Sequence, residues 1–295
     1  MQTLPDTFAV FILTHGRPDN VITYKTLQKC GYTGKLYFVV DDEDKTINRY
    51  IERFGKDRVI VFDKKAEADA CDEGNNFDER RTITMARNAC FEIAERLGVT
   101  HFLELDDDYQ WFGYRYDRGP GLKTHPLVTD INKTVLAFLR FFQSAPVTSI
   151  AFSQGGDFIG GYNAKLHKRK CMNSFFCSTE RPFKFIGAMN EDVNTYAVLG
   201  GRGHLFLTFM PIQLVQKNSQ QQGAGITDMY LKFGTYCKAF TTVMMMPGST
   251  KVSMMGIENP RIHHSINWKA TVPCILREKH RKTGCNKSLP LERES

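Results

Sequence analysis

An α/β protein built on a mostly parallel sheet flanked by helices is what this sequence predicts, and three observations carry the prediction. Short, almost unbroken apolar runs alternate with helical segments over the first hundred residues, as expected for strands buried on both faces and joined by crossover helices. Two of these runs end abruptly in carboxylates: residues 35–40 give way to Asp41-Asp42-Glu43-Asp44, and residues 101–105 to Asp106-Asp107-Asp108. Parallel sheets gather their ligands at the carboxyl ends of their strands, so these acids mark one edge as functional.

Residues 7–13, Thr-Phe-Ala-Val-Phe-Ile-Leu, stop at Thr14-His15-Gly16-Arg17-Pro18 and read as a buried strand feeding a loop. A helix is predicted over 19–29, ended by Gly31, then a second buried strand over 35–40, a helix over 45–54 and a short strand over 58–62. The turn-rich segment 72–78 leads into a helix over 79–97 that Gly98 stops. On that helix Ile83, Ala86, Cys90, Ala94 and Leu97 gather on one side, while Arg81, Thr84 and Asn88 fall roughly opposite. The polar side is therefore expected to look outward toward a ligand. Further along, a helix over 133–143 and a strand over 148–152 run into the glycine-rich residues 154–161. Asn190 is placed to cap a helix over 191–199 closed by Gly200-Gly201, and two strands are predicted near 204–215 and 236–246. Residues 277–295 read as a polar, basic, frayed tail, and no internal repeat is present.

In a strand, alternate side chains share a face, so Asp106 and Asp108 are expected to point one way and Asp107 back into the protein. Two hard oxygen ligands on one side suit Mg²⁺ or Mn²⁺ held together with a substrate diphosphate. A plain polar strand-to-loop transition is the alternative. Acids after the second strand, an Arg/Asn-bearing helix and a D-x-D after the next strand together make the layout of a nucleotide-sugar site. There an acid can accept a pyrimidine imide N–H, and Arg17, Arg81 or Arg87 can offset phosphate charge.

At 295 residues the chain is long enough for one large domain with a full core. The eight cysteines, Cys30, Cys71, Cys90, Cys171, Cys177, Cys237, Cys274 and Cys285, show no C-x-x-C spacing and read as reduced thiols. The first residues lack the basic and apolar regions of a signal peptide, and no apolar stretch approaches membrane-spanning length, so a cytoplasmic location and no membrane partner are expected. A net charge of +7 permits a polyanionic partner.

The Ala86-Arg87-Asn88 helix followed by Phe102-Leu103-Glu104-Leu105-Asp106-Asp107-Asp108 resembles the corresponding region of GT-A glycosyltransferases, the inverting family 2 type in particular. With Thr14-His15-Gly16-Arg17-Pro18-Asp19-Asn20, Val39-Val40-Asp41-Asp42-Glu43-Asp44, residues 79–88 and Arg261-Ile262-His263-His264, nearly the whole chain resembles the TET-associated glycosyltransferases of bacteriophages. That resemblance implies a GT-A, Rossmann-like domain over 1–276, with 7–110 binding a nucleotide sugar, UDP-sugar foremost, and a mixed acceptor-side half over 111–276. It also implies an inverting hexosyltransferase dependent on Mn²⁺ or Mg²⁺, acting in phage-infected bacteria on hydroxymethylated pyrimidines in DNA, such as 5-hydroxymethylcytosine, that a TET-type dioxygenase produces.

Carried over by position, the resemblance gives Asp106 and Asp108 to the metal, with His263 and His264 at a late metal or phosphate position. Only one of the two histidines is expected to reach the ion, because neighbours in extended chain point apart, and a structural pair is the alternative. Glu191-Asp192 matches the pair that supplies the catalytic base, against the plainer reading of acids complementing a helix dipole. Thr14, His15, Arg17, Asp41, Asp42, Arg81, Arg87, Asn88 and Asp107 form the expected donor-binding set. Lys165, Lys168, Arg169 and Lys170 belong to the densest basic run in the middle of the chain and are expected to meet the acceptor DNA, unless they are a solvated loop. Two rivals compete. A sugar nucleotidyltransferase would want a glycine-rich phosphate loop after the first strand, where this chain has a single glycine, and a non-catalytic DNA-binding module would want a compact reader motif, which is absent.

Overall fold

The computed structural model describes residues 3–71, 80, 82–117, 122–158, 170–216, 235–256, 260–271, 275–278 and 281. The expected order opens the chain: β1 (Phe8–Leu13), α1 (Ile22–Lys29), β2 (Lys35–Asp41), α2 (Ile47–Phe54), β3 (Val59–Phe62), then a short helix α3 (Lys64–Asp69). Helix α4 (Thr84–Arg96) and strand β4 (His101–Asp106) complete the first half. The second half adds β5 (Tyr109–Asp117), β6 (Leu122–Leu127), α5 (Ile131–Ser144), β7 (Ser149–Ser153), β8 (Ser174–Ser178), α6 (Glu191–Gly201) and β9 (Phe206–Gln216). Helix α7 (Thr235–Met245) and a two-stranded ribbon, β10 (Thr250–Met255) and β11 (Arg261–Ile266), follow.

Nine strands form one sheet in the order β3-β2-β1-β4-β8-β7-β9-β5-β6. Only β5 and β8 run against the direction of the others, so the sheet is mainly parallel. Every residue of β1 is buried because both faces of the sheet are covered. Phe8, Val10 and Ile12 join Phe38, Leu103, Phe138 and Phe176 on one side, and Ala9, Phe11 and Leu13 join Phe91, Phe102, Phe175 and Ala197 on the other. Each of the larger side chains, alanine excepted, stabilises the fold by roughly 1.5–3 kcal/mol, which is why an unbroken apolar run specifies this strand. Helices α1, α2 and α5 supply the first layer, α4 and α6 the second. No helix among the described residues is long and apolar enough to cross a membrane.

Helix ends follow local chemistry. Gly98 takes φ +67°, and the Val99 amide closes back on the Ala94 carbonyl, which stops α4 where glycine was expected to stop it. Asp130 accepts the Lys133 amide at the start of α5. At the other end of α5, Arg181 donates to the carbonyls of Phe142 (2.6 Å), Ala145 (3.0 Å) and Val147 (2.5 Å).

Two expectations fail here. Residues 236–246 are not a strand: Tyr236, Phe240 and Met244 recur every four residues, the period of the helix α7 that forms instead. The polar side of α4 does not face outward either, since Thr84, Arg87 and Asn88 are all buried and bonded inside the protein. The turn-rich 72–78, residues 159–161 of the glycine-rich 154–161 and nearly all of the 277–295 tail lie outside the described residues.

Candidate functional site

Three loops meet at the carboxyl ends of β1, β2 and β4, and their own side chains tie them together. The buried Thr14 hydroxyl donates to Asp107 Oδ2 at 2.7 Å and lies 2.8 Å from the Tyr50 hydroxyl, which accepts the Arg17 amide at 2.8 Å. Arg17 Nη2 stands 3.3 Å from the other Asp107 oxygen. His15 Nδ1 lies 2.6 Å from Asp41 Oδ2, the Gly16 amide donates to Asp44 at 2.7 Å, and Lys64 Nζ reaches Asp41 at 3.3 Å. His15 is pushed up in pKa chiefly by its hydrogen bond to Asp41. Burial works to raise Asp41, but His15 and Lys64 outweigh it and hold that carboxyl below its usual range. Asp41 is thus locked in place, while Asp42 is exposed at the rim and accepts the Lys64 amide at 3.0 Å.

Strand β4 ends at Asp106, and Asp107-Asp108 form a turn, so strict strand alternation ceases at the carboxylates themselves. Thr23 holds this turn through the carbonyls of Asp106 (2.5 Å) and Asp107 (3.0 Å) and through the Tyr109 amide (2.9 Å). Asp107 is buried and spent on Thr14 and Arg17. Asp108 accepts from Gln216 at 3.2 Å through Oδ2, whereas its Oδ1 is buried without a hydrogen-bond partner. Burial, relieved in part by Arg87 and aggravated by Asp108, pushes the Asp106 carboxyl up to about 6. A partnerless buried oxygen and two mutually repelling carboxylates fit a hard divalent cation, which relieves both. Among the described residues no group of three or more His, Cys, Asp or Glu is gathered closely enough to hold an ion. Asp106, Asp108, His263 and His264 therefore do not form a closed cage, and substrate phosphates and water would complete the shell.

Behind this edge sits Arg87, only 1% exposed. Its Nη2 donates to Asp106 Oδ1 at 2.9 Å, its Nε stands 3.4 Å from Glu191, and its Nη1 stands 3.7 Å from Glu104, with the guanidinium 4.7 Å above the Phe175 ring. One buried cation thus serves three acids. Burial, together with the neighbouring Asp192, raises the Glu191 carboxyl, and burial raises Glu104 well above the carboxylate range, Arg87 drawing both down. Arg87 and Asn88 are therefore not free to meet a donor phosphate. Asn88 accepts the Phe185 amide at 2.8 Å and donates to the Phe185 carbonyl at 3.2 Å, which fixes the segment leading to α6.

Asn190 precedes α6 but does not cap it: with φ +55° it turns its amide to the Lys238 carbonyl (2.7 Å), Thr242 (3.2 Å) and His264 Nδ1 (3.5 Å). The start of α6 is thereby joined to α7 and to the ribbon. Glu191 faces Arg87, and Asp192 Oδ1 accepts the Val193 amide on a side where Lys238 and Lys170 supply positive charge. The His263 and His264 rings are 4.2 Å apart rather than thrown to opposite sides.

Of the expected residues, His15, Arg17 and Asp42 reach the exposed edge, Asp106 and Glu191 meet at Arg87, and Asp108 and Asp192 lie close enough to act on Asp106 by charge. Thr14, Asp107, Arg87 and Asn88 stand behind that edge, matched by protein partners. Lys170 is largely buried against Asp157 at 2.6 Å, so it is not a free phosphate contact, and Arg81, Lys165, Lys168 and Arg169 lie outside the described residues. Sequence reasoning passed over Lys64, Tyr50, Gln216 and Glu104. The last had a signal, since a glutamate inside an apolar strand, two residues before Asp106, shares its face.

Among solved structures, glucosyl-3-phosphoglycerate synthase from Mycobacterium tuberculosis in complex with Mg²⁺ and UDP is similar at 10% identity, over 88% of this chain and 87% of that one, with a TM-score of 0.47. The same enzyme with Mn²⁺ and UDP-glucose gives 10%, 88%, 86% and 0.44. A putative nucleotide-diphospho-sugar transferase from Desulfovibrio desulfuricans G20 gives 9% identity, 77% of this chain, 94% of that one and a TM-score of 0.40. No curated protein matches the chain. The family model described as TET-Associated Glycosyltransferase matches residues 8–225, well over half of the sequence, and the protein belongs to that family of glycosyltransferases.

Proposed function

We propose that this glycosyltransferase moves a sugar from a nucleotide sugar, a UDP-sugar, onto the hydroxymethyl oxygen of 5-hydroxymethylcytosine in DNA, with residues 7–110 holding the donor and 111–276 the acceptor. The observation that carries this reading is the buried Arg87 bridge, which joins the carboxylate at the end of β4 to the acidic start of α6. Donor and acceptor chemistry then share one centre. Asp42, exposed at the rim, would meet the nucleoside, and the half-exposed Arg17 beside Asp107 the diphosphate. Asp106 and Asp108 would hold Mn²⁺ or Mg²⁺, with His263 or His264 as a further ligand, and the ion when bound offsets the charge of the departing diphosphate.

Asp192 acts as the base. Glu191 is engaged by Arg87 at 3.4 Å, whereas Asp192 accepts from the Val193 backbone amide and feels Lys238 of α7 more strongly than Arg87. It takes the proton from the hydroxymethyl oxygen, which attacks the anomeric carbon with inversion as the nucleoside diphosphate leaves. A cytosine within a duplex must leave the stack to get there, at a cost of about a few kcal/mol. The test is incubation with a panel of nucleotide sugars, Mn²⁺ and DNA carrying cytosine, 5-methylcytosine or 5-hydroxymethylcytosine, followed by digestion to nucleosides and mass spectrometry. A hexose-sized mass increment on hydroxymethylcytosine alone is expected. Efficient transfer to protein or small molecules, with hydroxymethylated DNA ignored, would overturn the acceptor.

A further inference from the structure

Charge is distributed unevenly along the chain. Residues 1–234 hold 29 Lys or Arg against 28 Asp or Glu, whereas residues 235–295 hold ten against four. Nearly all of the net +7 therefore resides in the last fifth of the sequence, beyond the span that the family model matches. Every charged residue described in 235–256 and 260–271 is basic: Lys238, Lys251, Arg261 and Lys269.

The same region bares apolar side chains. Antiparallel pairing sets Val252 opposite His264, Met254 opposite Ile262 and Met255 opposite Arg261, and Met254 is 64% exposed, with Val252 and Ile262 near 40%. On α7, Tyr236, Phe240 and Met244 form an exposed stripe, with the first two rings stacked at 5.7 Å. Apolar surface of this extent rimmed by polar groups marks an interaction site. A second copy of the chain is a poor occupant, because two such faces would oppose like charges. A polyanion with stacking faces suits both the cations and the apolar groups.

Resting on the acceptor reading above, we propose that the β10–β11 ribbon is a duplex-DNA wedge: Met254 and Ile262 on one face enter the base stack and free the target nucleotide, while the long side chains of Lys251 and Arg261 on the other face reach past the ribbon's edges to flanking phosphates. A two-stranded ribbon is of a size that a DNA groove admits, and methionine and isoleucine are among the side chains that part base steps. The wedge pair lies beside the chemistry: His264, two residues along β11 from Ile262 and on the same face, stands 3.5 Å from Asn190, whose next residues are Glu191 and Asp192. Two residues of strand span about 7 Å, so the wedge pair acts at a base step next to the target. The acceptor thus docks here; Lys170, the described residue of the middle basic run, is already spent on Asp157.

The experiment uses the full chain and a matched set of hydroxymethylcytosine oligonucleotides: duplex, duplex with a mismatch at the target, and single strand. In the variant Met254→Ser/Ile262→Ser, transfer to the matched duplex should fall at least about tenfold, while the mismatched duplex and single strand stay within about twofold. In Lys251→Gln/Arg261→Gln, anisotropy titrations should show weaker binding to all three and a log K against log salt slope reduced by about 1.8 on the duplexes and about 1.4 on the single strand, the values for two phosphate contacts. Hydrolysis of nucleotide sugar without acceptor should be unchanged in both, which reports an intact donor site. Wild-type behaviour of both variants on the matched duplex would overturn the wedge, as would equal losses on duplex and single strand in the Met254/Ile262 variant. Loss of self-association in that variant by light scattering, with DNA transfer intact, would also overturn it by naming a second copy as occupant. A wild-type protein that hydrolyses nucleotide sugar yet neither binds nor modifies hydroxymethylated DNA would remove the acceptor reading itself.

Discussion

Replacing Arg87 with methionine keeps the length of the side chain and deletes its charge, and it should destabilise the protein by about 3–5 kcal/mol at pH 8, the cost of stranding buried carboxylates. The structure sets that range. The guanidinium stands 2.9 Å from Asp106, 3.4 Å from Glu191 and 3.7 Å from Glu104, and at 1% exposure no water can take its place. The loss must also depend on pH. Burial raises all three carboxyls and Arg87 draws them down, so without it they rise further. Between the ordinary carboxylate range and the raised values the folded variant then binds more protons than the unfolded chain, and its stability falls as pH rises through that window. At pH 5 the acids are largely protonated, and the loss should shrink to about 1–2 kcal/mol. Urea unfolding followed by tryptophan fluorescence measures both. With a slope of about 3 kcal/mol per M, a 4 kcal/mol loss moves the midpoint by about 1.3 M. Arg87→Lys, which keeps the charge without the fork, should fall between. A midpoint for Arg87→Met within about 0.3 M of wild type at pH 8, or equal shifts at both pH values, would refute the reasoning.

Other outcomes are expected at the edge of the sheet and in the core. Asp106→Ala and Asp108→Ala should each abolish transfer with little change in melting temperature, and activity lost on exhaustive EDTA dialysis should return with Mn²⁺ or Mg²⁺; full activity after dialysis would strip the acidic turn of its role. Asp107→Asn should cost far less activity and about 1–2 kcal/mol of stability, because its carboxylate serves Thr14 and Arg17 rather than the reaction. Asp192→Asn should lower kcat by roughly 10² to 10⁴-fold while calorimetric binding of nucleotide sugar survives; near wild-type turnover would move the base to Glu191. Burial against Phe142 depresses His101 from 6.5 to about 4, so the unfolded chain takes a proton first and stability should fall as pH drops from 6.5 toward 4. His101→Phe should recover about 2 kcal/mol of that loss at pH 5, seen as a melting curve less sensitive to acid.

The donor half of the fold was legible because its strands are buried on both faces, which leaves no choice but unbroken apolar runs at residues 8–13 and 101–105. Helices α5 and α6 came within two residues at each end. Strands β5, β6 and β8 went unread: β5 mixes polar and aromatic residues, and β8 is a five-residue run too short to show a period. Helix α7 was read as a strand because Thr241-Thr242-Val243 carries β-branched weight locally, while the four-residue aromatic and methionine spacing that decides it extends over a longer window. At the site, residue types were readable and their directions were not. Amphipathic logic equates polar with solvent, and it fails on α4 because Arg87 and Asn88 find charges and carbonyls inside the protein. That internal demand came in part from Glu104 and the Phe185 backbone, whose proximity to α4 is created only by the fold.

Arg181 has a consequence for how the chain is made. The carbonyls it binds belong to residues that are synthesised 34 to 39 positions earlier, so the last turn of α5 emerges from the ribosome well before its partner. At about 5–20 residues per second that gap is about 2–8 s, during which those carbonyls lack the guanidinium that joins them in the folded protein. The same stretch of translation delivers β8, whose strand fills the sheet between β4 and β7. Closure of the sheet's centre and completion of the α5 terminus should therefore coincide, and nascent chains arrested at successive lengths should gain protease resistance in one step once residue 181 clears the exit tunnel.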